Sequence, residues 1–168
     1  MYVSTPLTEG HDFTKFSCGK ESLDEWLAVA ALRAQRAGVA RTYVWTDGHT
    51  DTVWAYFALA PTEVIREAAG VSRGMSGGYS RIPGYLIGRL ALHRELHGQG
   101  LGGQLLIDAV GRAVRAAEVG GGRLIIVDAV DQQAEAFYAR FGFVPVFNRP
   151  SRLIMKVATA RAALADAD

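Results

Sequence analysis

Cysteine is nearly missing from this chain. Cys18 is the one cysteine among 168 residues, so an internal disulfide is excluded and the composition fits a reducing cytoplasm. Histidine is scarce as well, and four scattered His with one Cys give no metal-ligand spacing, so no metal site is expected. No apolar run approaches the roughly 20 residues needed to cross a bilayer. Met1 to Gly10 lack the basic start and the apolar run of a signal peptide. Charge of one sign is also lacking: a net charge of +1 argues against nucleic-acid binding driven by a strong overall field. What remains is ordinary globular composition, 49% hydrophobic and 21% charged, too apolar for a disordered chain. The length suits one domain, expected over residues 1–157, with a short alanine-rich tail at 158–168.

The charges that are present are unevenly spread. Only Lys15, Lys20 and Lys156 are lysines among eighteen basic residues, so arginine dominates. Trp26 to Thr46 carries Arg33, Arg36 and Arg41 and no acid; Ala68 to Arg94 carries Arg73, Arg81, Arg89 and Arg94 and again no acid. The planar arginine fork can bond two phosphate oxygens at once. An ordinary solvated arginine surface has the same pattern.

Periodicity supplies a coarse map. Tyr2 to Pro6 reads as a first strand, and Lys20 to Arg36 as one amphipathic helix with Leu23, Trp26, Leu27, Ala30, Ala31 and Ala34 at helical spacing. Gly38 ends it. Arg41 to Thr46 and Thr52 to Ala60 read as a hairpin, with Pro61 closing the second strand. A short helix is expected within Thr62 to Ala69, and Gly70 to Tyr79 is too glycine-rich for either element. Tyr85 to Leu92 reads as a strand buried on both faces. A long helix follows from about Leu101 to Ala117, stopped by Gly120-Gly121-Gly122. Leu124 to Asp128 is an apolar strand, Gln132 to Phe141 a helix, and Val144 to Phe147 and Leu153 to Val157 two last strands. Strand-helix-strand-helix-strand after a meander implies a mixed α/β sheet with helices on its faces.

The glycine cluster sits where a strand end meets a helix start: His97-Gly98-Gln99-Gly100-Leu101-Gly102-Gly103. Such sheets place phosphate ligands there. Glycines leave main-chain N–H groups uncovered and let a bulky anion approach. No Lys-Ser or Lys-Thr follows, so this is not a Walker loop, and the dinucleotide fingerprint fits poorly. A bare glycine turn into a helix would look the same.

The loop has company. The strand at Tyr85 to Leu92, the loop, the long helix, the strand at Leu124 to Asp128 and Ala134-x-x-Phe137-Tyr138-x-x-Phe141-Gly142-Phe143 occur in one order over about residues 82 to 146. Together they resemble the GNAT N-acetyltransferase family. Its loop runs Gln or Arg, two residues, Gly, one residue, Gly or Ala; Gly100 and Gly102 match the small positions, and His97 departs from the first. A narrower resemblance rests on Phe16-x-Cys18-Gly19, Leu23-Asp24-x-Trp26-Leu27, Gly38 to Val44, Ala55 to Leu59, Ile82-Pro83 and Gly88 to Ala91. It is to the GNAT toxins of type II toxin–antitoxin modules, which acetylate the amino group of aminoacyl-tRNA and are held by small ribbon-helix-helix antitoxins.

The resemblance implies a twisted mixed sheet of about six or seven strands with helices on both faces, acetyl-CoA as donor, and a cytoplasmic enzyme. Leu90, Ala91 and Leu92 would line the pantetheine arm, with the Leu92 N–H donating to the thioester oxygen. His97, Gly98, Gln99, Gly100, Leu101, Gly102 and Gly103 would hold the diphosphate, and Ala134 and Phe137 would also touch the cofactor. Tyr138 would stand beside the sulfur as the acid. A free phenol titrates near 10 and a thiol near 8.5, so the phenol carries its proton at neutral pH, and local shifts could close that gap. Asp128, Asp131, His93 and Glu95 lie nearby in sequence, each an ordinary cap or surface group, and no general base is assigned. An α-amino group titrating near 8 needs little help.

Arg33, Arg36, Arg41, Arg73, Arg81 and Arg89 are candidates for acceptor RNA phosphates, with Arg89, inside a buried strand, the first expected to serve the fold instead. Other readings stay open: acetylation of a small amine or a protein N-terminus, a non-enzymatic acyl-CoA-binding module that retains this fold, and a nucleic-acid-binding module. A homodimer is expected from an exposed first helix bearing Trp26.

Overall fold

The structure, a computed structural model, describes residues 2–167. It contains seven strands and seven α-helices among those residues: β1 Val3–Pro6, α1 Glu21–Val29, α2 Ala31–Arg36, β2 Arg41–Thr46, β3 Ala55–Ile65, α3 Arg66–Ala69, α4 Arg73–Ser76, β4 Arg81–Leu92, α5 Leu101–Gly120, β5 Leu124–Asp128, α6 Gln132–Arg140, β6 Val144–Val146, β7 Arg149–Lys156 and α7 Val157–Ala167. The strands form one sheet in the order β1-β2-β3-β4-β5-β7-β6. β1, β2 and β3 are antiparallel neighbours, β4 and β5 are parallel, and β7 returns antiparallel to both β5 and β6.

Two compact units share this chain, Met1–Ala60 with Gly88–Ala109 and Pro61–Ile87 with Val110–Asp168, so β3, β4 and α5 each contribute residues to both. In the first, Leu7, Phe16, Leu27, Ala31, Val44, Val53, Tyr56 and Ala91 close one core. There Asp108 of α5 accepts from Ser4 Oγ and from Trp45 Nε1, each at 2.8 Å. A carboxylate holding two donors from separate strands fixes where this helix begins. In the second unit Val64, Val71, Ile82, Leu124, Ile126, Val146 and Ile154 form another core.

Several boundaries differ from the sequence expectation. The first helix is broken at Ala30 (φ −112°) although no glycine or proline marks the place, and main-chain bonds from Ala30 to Trp26 and from Ala34 to Ala30 bridge the break. Pro61 does not close β3, which runs on to Ile65. The ladder with β2 ends where β2 begins, at the pair Arg41–Leu59, so the N–H that proline lacks costs no bond to β2. The glycine-rich stretch holds a one-turn helix, α4, capped by the Ser72 hydroxyl accepting from Met75 N at 3.2 Å. The tail is helical as α7, with Val157 and Ala160 buried.

Gly84 shows how closely β4 and β5 approach. It pairs with Leu124, and a Cβ placed on it would lie 2.5 Å from the Leu124 carbonyl oxygen and 2.8 Å from Ile126 Cδ1. Backbone cannot yield there as a side chain could. Gly84→Ala is expected to destabilise the protein by about 1–3 kcal/mol; an unchanged urea midpoint would show that the two strands can part at no cost.

Candidate functional site

In the first unit β4 leads through His93 and the 3-10 turn Arg94–Leu96 into the glycine loop and then α5. Gly98 and Gly100 sit at φ +79° and +76°, the left-handed region, and a Cβ on either would meet open space. The requirement for glycine is therefore conformational. The N–H groups of His93, Arg94, Leu96 and His97 are used on Trp54, Ser17, His93 and Arg94 carbonyls. Those of Gly98, Gln99 and Gly100 find no acceptor among the described residues. Leu101, Gly102 and Gly103 open a helix of twenty residues, whose first N–H groups have no intrahelical partner and whose dipole favours an anion. These donors fit a diphosphate.

The loop's side chains are occupied differently from the sequence expectation. His97 Nε2 bonds the Leu92 carbonyl at 2.8 Å, so that nitrogen ties the loop to the end of β4 and is not free for phosphate. Gln99 Nε2 likewise donates to the Glu95 carbonyl at 3.3 Å. On β4 itself Ala91 and Leu92 are buried and Leu90 half-buried. Arg89, one residue before them, lays its guanidinium 4.2 Å from the centre of the Trp26 ring of α1.

The second unit holds Tyr138, on α6, a residue 7% exposed whose ring lies against Phe137 and Phe143. Burial pushes its pKa up to about 12, with the Asp128 charge adding to the rise. The expected gap between phenol and thiol is thus widened and not closed, which makes Tyr138 a secure hydrogen-bond donor at neutral pH. Asp128 cannot easily act as a base, because Arg152 holds both its oxygens at 2.8 Å across the β5–β7 pair, with Arg149 at 3.9 Å. Asp131 caps α6 by accepting from Ala134 N at 2.8 Å. Phe137 packs on Phe141 and carries the Arg140 guanidinium at 5.9 Å.

His93, in the first unit, is 7% exposed. Its Nδ1 accepts from Glu95 N at 3.1 Å and its Nε2 lies 3.1 Å from the Lys15 carbonyl, so both ring nitrogens are engaged by main-chain groups. Cys18 is no nucleophile, since burial and the neighbouring Asp24 push its thiol up to about 11.

The acid-free arginine segments are acid-free only along the chain. In the first unit Arg36 pairs with Glu9, and in the second Arg81 meets Glu63 at 2.7 Å. Arg33 and Arg41 in the first unit, and Arg73 in the second, are exposed. Sequence reasoning missed Arg123, which clamps the α4 turn through the Met75 and Gly74 carbonyls at 3.0 and 3.1 Å. It missed the Asp128–Arg152 pair too, a cross-strand pair that becomes visible only once Asp128 is known to face Arg152.

The chain is similar to known proteins. Residues 24–145 match the family model described as an acetyltransferase (GNAT) domain. The tRNA-acetylating toxin of Mycobacterium tuberculosis is 38% identical over 163 residues, covering 95% of each chain. The probable toxin TacT of Sinorhizobium fredii is 26% identical, covering 90% of this chain and 88% of that one. Among solved structures, AtaT complexed with acetyl-methionyl-tRNAfMet superposes with a TM-score of 0.87 at 26% identity, covering 98% of this chain and 99% of the other. A mutant AtaT bound to the C-terminus of the antitoxin AtaR and to acetyl-CoA superposes at 0.84 and 26% identity, covering 97% and 98%.

The raised pKa of Tyr138 has a consequence for stability. The folded chain keeps a proton that the unfolded chain gives up above about pH 10, so this group's contribution is complete below pH 10 and is lost as pH rises toward about 12. Wild type should therefore lose more unfolding free energy between pH 9 and 11 than Tyr138→Phe does, measured by urea titration. Equal losses would place the phenol in water.

Proposed function

We propose that this chain, which belongs to the GNAT acetyltransferase family, is a toxin that acetylates the α-amino group of aminoacyl-tRNA and so blocks translation. The family assignment makes it an N-acetyltransferase with acetyl-CoA as donor. Acetyl-CoA supplies an activated acetyl thioester; the protein supplies donors and shape. The single observation carrying the cofactor assignment is the run of unpaired N–H groups from Gly98 to Gly100 at the head of α5. With Leu101, Gly102 and Gly103 they would hold the diphosphate. Leu90, Ala91, Leu92, Ala134 and Phe137 would contact the rest of the cofactor, and the Leu92 N–H would meet the negative charge that grows on the acetyl oxygen. The His97 and Gln99 side chains would act on the loop's shape, while the Gln99 N–H is among the donors.

Tyr138 would donate its hydroxyl hydrogen to the departing thiolate. With the phenol held near 12, Tyr138 would stay protonated and give the thiolate a hydrogen bond, yielding the proton itself only if the site raised the thiol's own pKa. The acceptor needs a neutral amine. His93, Asp128 and Asp131 are all engaged elsewhere, and an aminoacyl α-amine, already partly neutral near pH 7, can lose its proton to water. The engagement of these three groups, together with a weakly basic amine, favours aminoacyl-tRNA over a polyamine or lysine.

The substrate assignment is supported by the relatives, the M. tuberculosis toxin at 38% identity and AtaT in complex with an acetylated aminoacyl-tRNA. Arg33, Arg41 and Arg73 would contact phosphates; Arg36 and Arg81 must first leave Glu9 and Glu63. An antitoxin partner of the ribbon-helix-helix kind, a homodimer and a cytoplasmic site of action belong to the same reading, which the complex of AtaT with its antitoxin AtaR supports as to the antitoxin. No helix among the described residues is long and apolar enough to cross a membrane.

Labelled acetyl-CoA offered with mixed charged and uncharged tRNA should mark only the charged species, with acetyl-aminoacyl adenosine released on nuclease digestion. Tyr138→Phe should retain acetyl-CoA affinity and lose about 10²–10⁴ in single-turnover rate. Label on small amines or protein N-termini, with none on charged tRNA, would leave the acetyltransferase and remove the toxin.

A further inference from the structure

Arg89 is unlike the other candidate arginines. Arg36 and Arg81 are exposed and paired with carboxylates, whereas Arg89 is half-buried and makes no ion pair among the described residues. Taking a guanidinium part-way out of water without a counter-charge is unfavourable. Asp24, on the adjoining helix, makes no ion pair with it; its Oδ1 accepts from the Cys18 N–H at 2.9 Å. What Arg89 has instead is the face of Trp26, 4.2 Å from its Cζ, a cation–π contact that compensates in part.

That face is itself fixed. Trp26 stacks on Tyr56 with ring centres 6.0 Å apart and planes 14° from parallel. Tyr56 is fully buried, meets Phe16 edge-on at 5.6 Å, and donates its hydroxyl to the Leu23 carbonyl of α1 at 2.6 Å. Tyr56 and Arg89 thus both lie against the Trp26 ring, all within one unit. The ring contact leaves the guanidinium N–H groups without a hydrogen-bond partner among the described residues, and their fork can bond two oxygens of a phosphate at once. The residue next in sequence, Leu90, begins the stretch assigned to the cofactor's arm.

We infer that Trp26 is a positioning residue that holds Arg89 as a preformed seat for a backbone phosphodiester at the acceptor end of the charged tRNA. The inference rests on aminoacyl-tRNA as the acceptor, because that end carries phosphodiesters whatever its amino acid and brings the anion that Arg89 lacks. Arg89 therefore serves the substrate and not only the fold, contrary to what its place in a buried strand suggests from sequence.

The test compares wild type, Arg89→Gln, Arg89→Lys, Trp26→Leu and Trp26→Phe in acetyl transfer to charged tRNA, in salt-dependent binding of charged tRNA, in acetyl-CoA affinity and in melting temperature. Arg89→Gln should raise KM for charged tRNA about tenfold or more, the scale of one charge-assisted contact, with kcat little changed. It should also flatten the log–log salt slope by roughly 0.7, one phosphate on a single strand. Trp26→Leu should move both readouts the same way, and Trp26→Phe, which keeps a ring face, should restore them. Acetyl-CoA affinity should hold throughout. Arg89→Lys, a point charge without the fork, should keep the slope and lose part of the KM. If wild type transfers acetyl to charged tRNA and Arg89→Gln matches it in KM and slope, the seat is wrong while the function stands. KM changes in the Trp26 variants that merely follow melting temperature would reduce the stack to packing. Wild type inert toward charged tRNA would overturn both.

Discussion

A main-chain N–H without an acceptor inside the protein must find one outside it, and the rest of this site is arranged around three such groups in succession. Gly98 and Gly100 adopt left-handed backbone that other residues reach only at a cost, and the N–H groups of 98–100 meet no acceptor among the described residues. Two side-chain contacts hold that arrangement still. His97 bonds the Leu92 carbonyl and so ties the loop to the strand before it. Asp108, two turns into α5, gathers the Ser4 hydroxyl and the Trp45 indole and so ties the helix after it. The position of the helix start follows from side chains that never touch a ligand.

The titratable groups divide by the same logic of occupied and unoccupied partners. Asp128 is spent on Arg152, Asp131 on the α6 cap, and His93 on two main-chain groups. Tyr138, in contrast, is kept protonated by burial and by the uncompensated part of the Asp128 field. A protein so arranged is built to give hydrogen bonds to developing negative charge and poorly built to remove a proton. Acetyl transfer to an amine that is already partly neutral has that requirement and little more.

How much of this could be seen in the sequence depends on whether the determining contact is local. The strand Leu124–Asp128 and the start of α5 were legible because burial on both faces and a glycine cluster leave marks in consecutive residues. The mixed sheet followed from element order, and the family resemblance implied its six or seven strands. Pro61 misled because its tolerance depends on where β2 begins, twenty residues earlier. The arginine segments misled because Glu9 and Glu63 reach Arg36 and Arg81 from outside them. His97 departs from the family's usual residue, and its bond to Leu92 explains the position without phosphate contact. The stack of Arg89 on Trp26 joins residues sixty-three positions apart, for which periodicity gives no signal.

The central claim, that unpaired donors from Gly98 to Gly103 receive the cofactor's diphosphate, is tested most directly by calorimetry of acetyl-CoA binding to Gly102→Asp, with folding checked by its melting temperature. A carboxylate at this point in the first turn of α5 suits the helix dipole and opposes the diphosphate, so the folded variant should show no measurable binding while wild type binds one acetyl-CoA per chain. A folded Gly102→Asp protein with wild-type affinity would contradict the account.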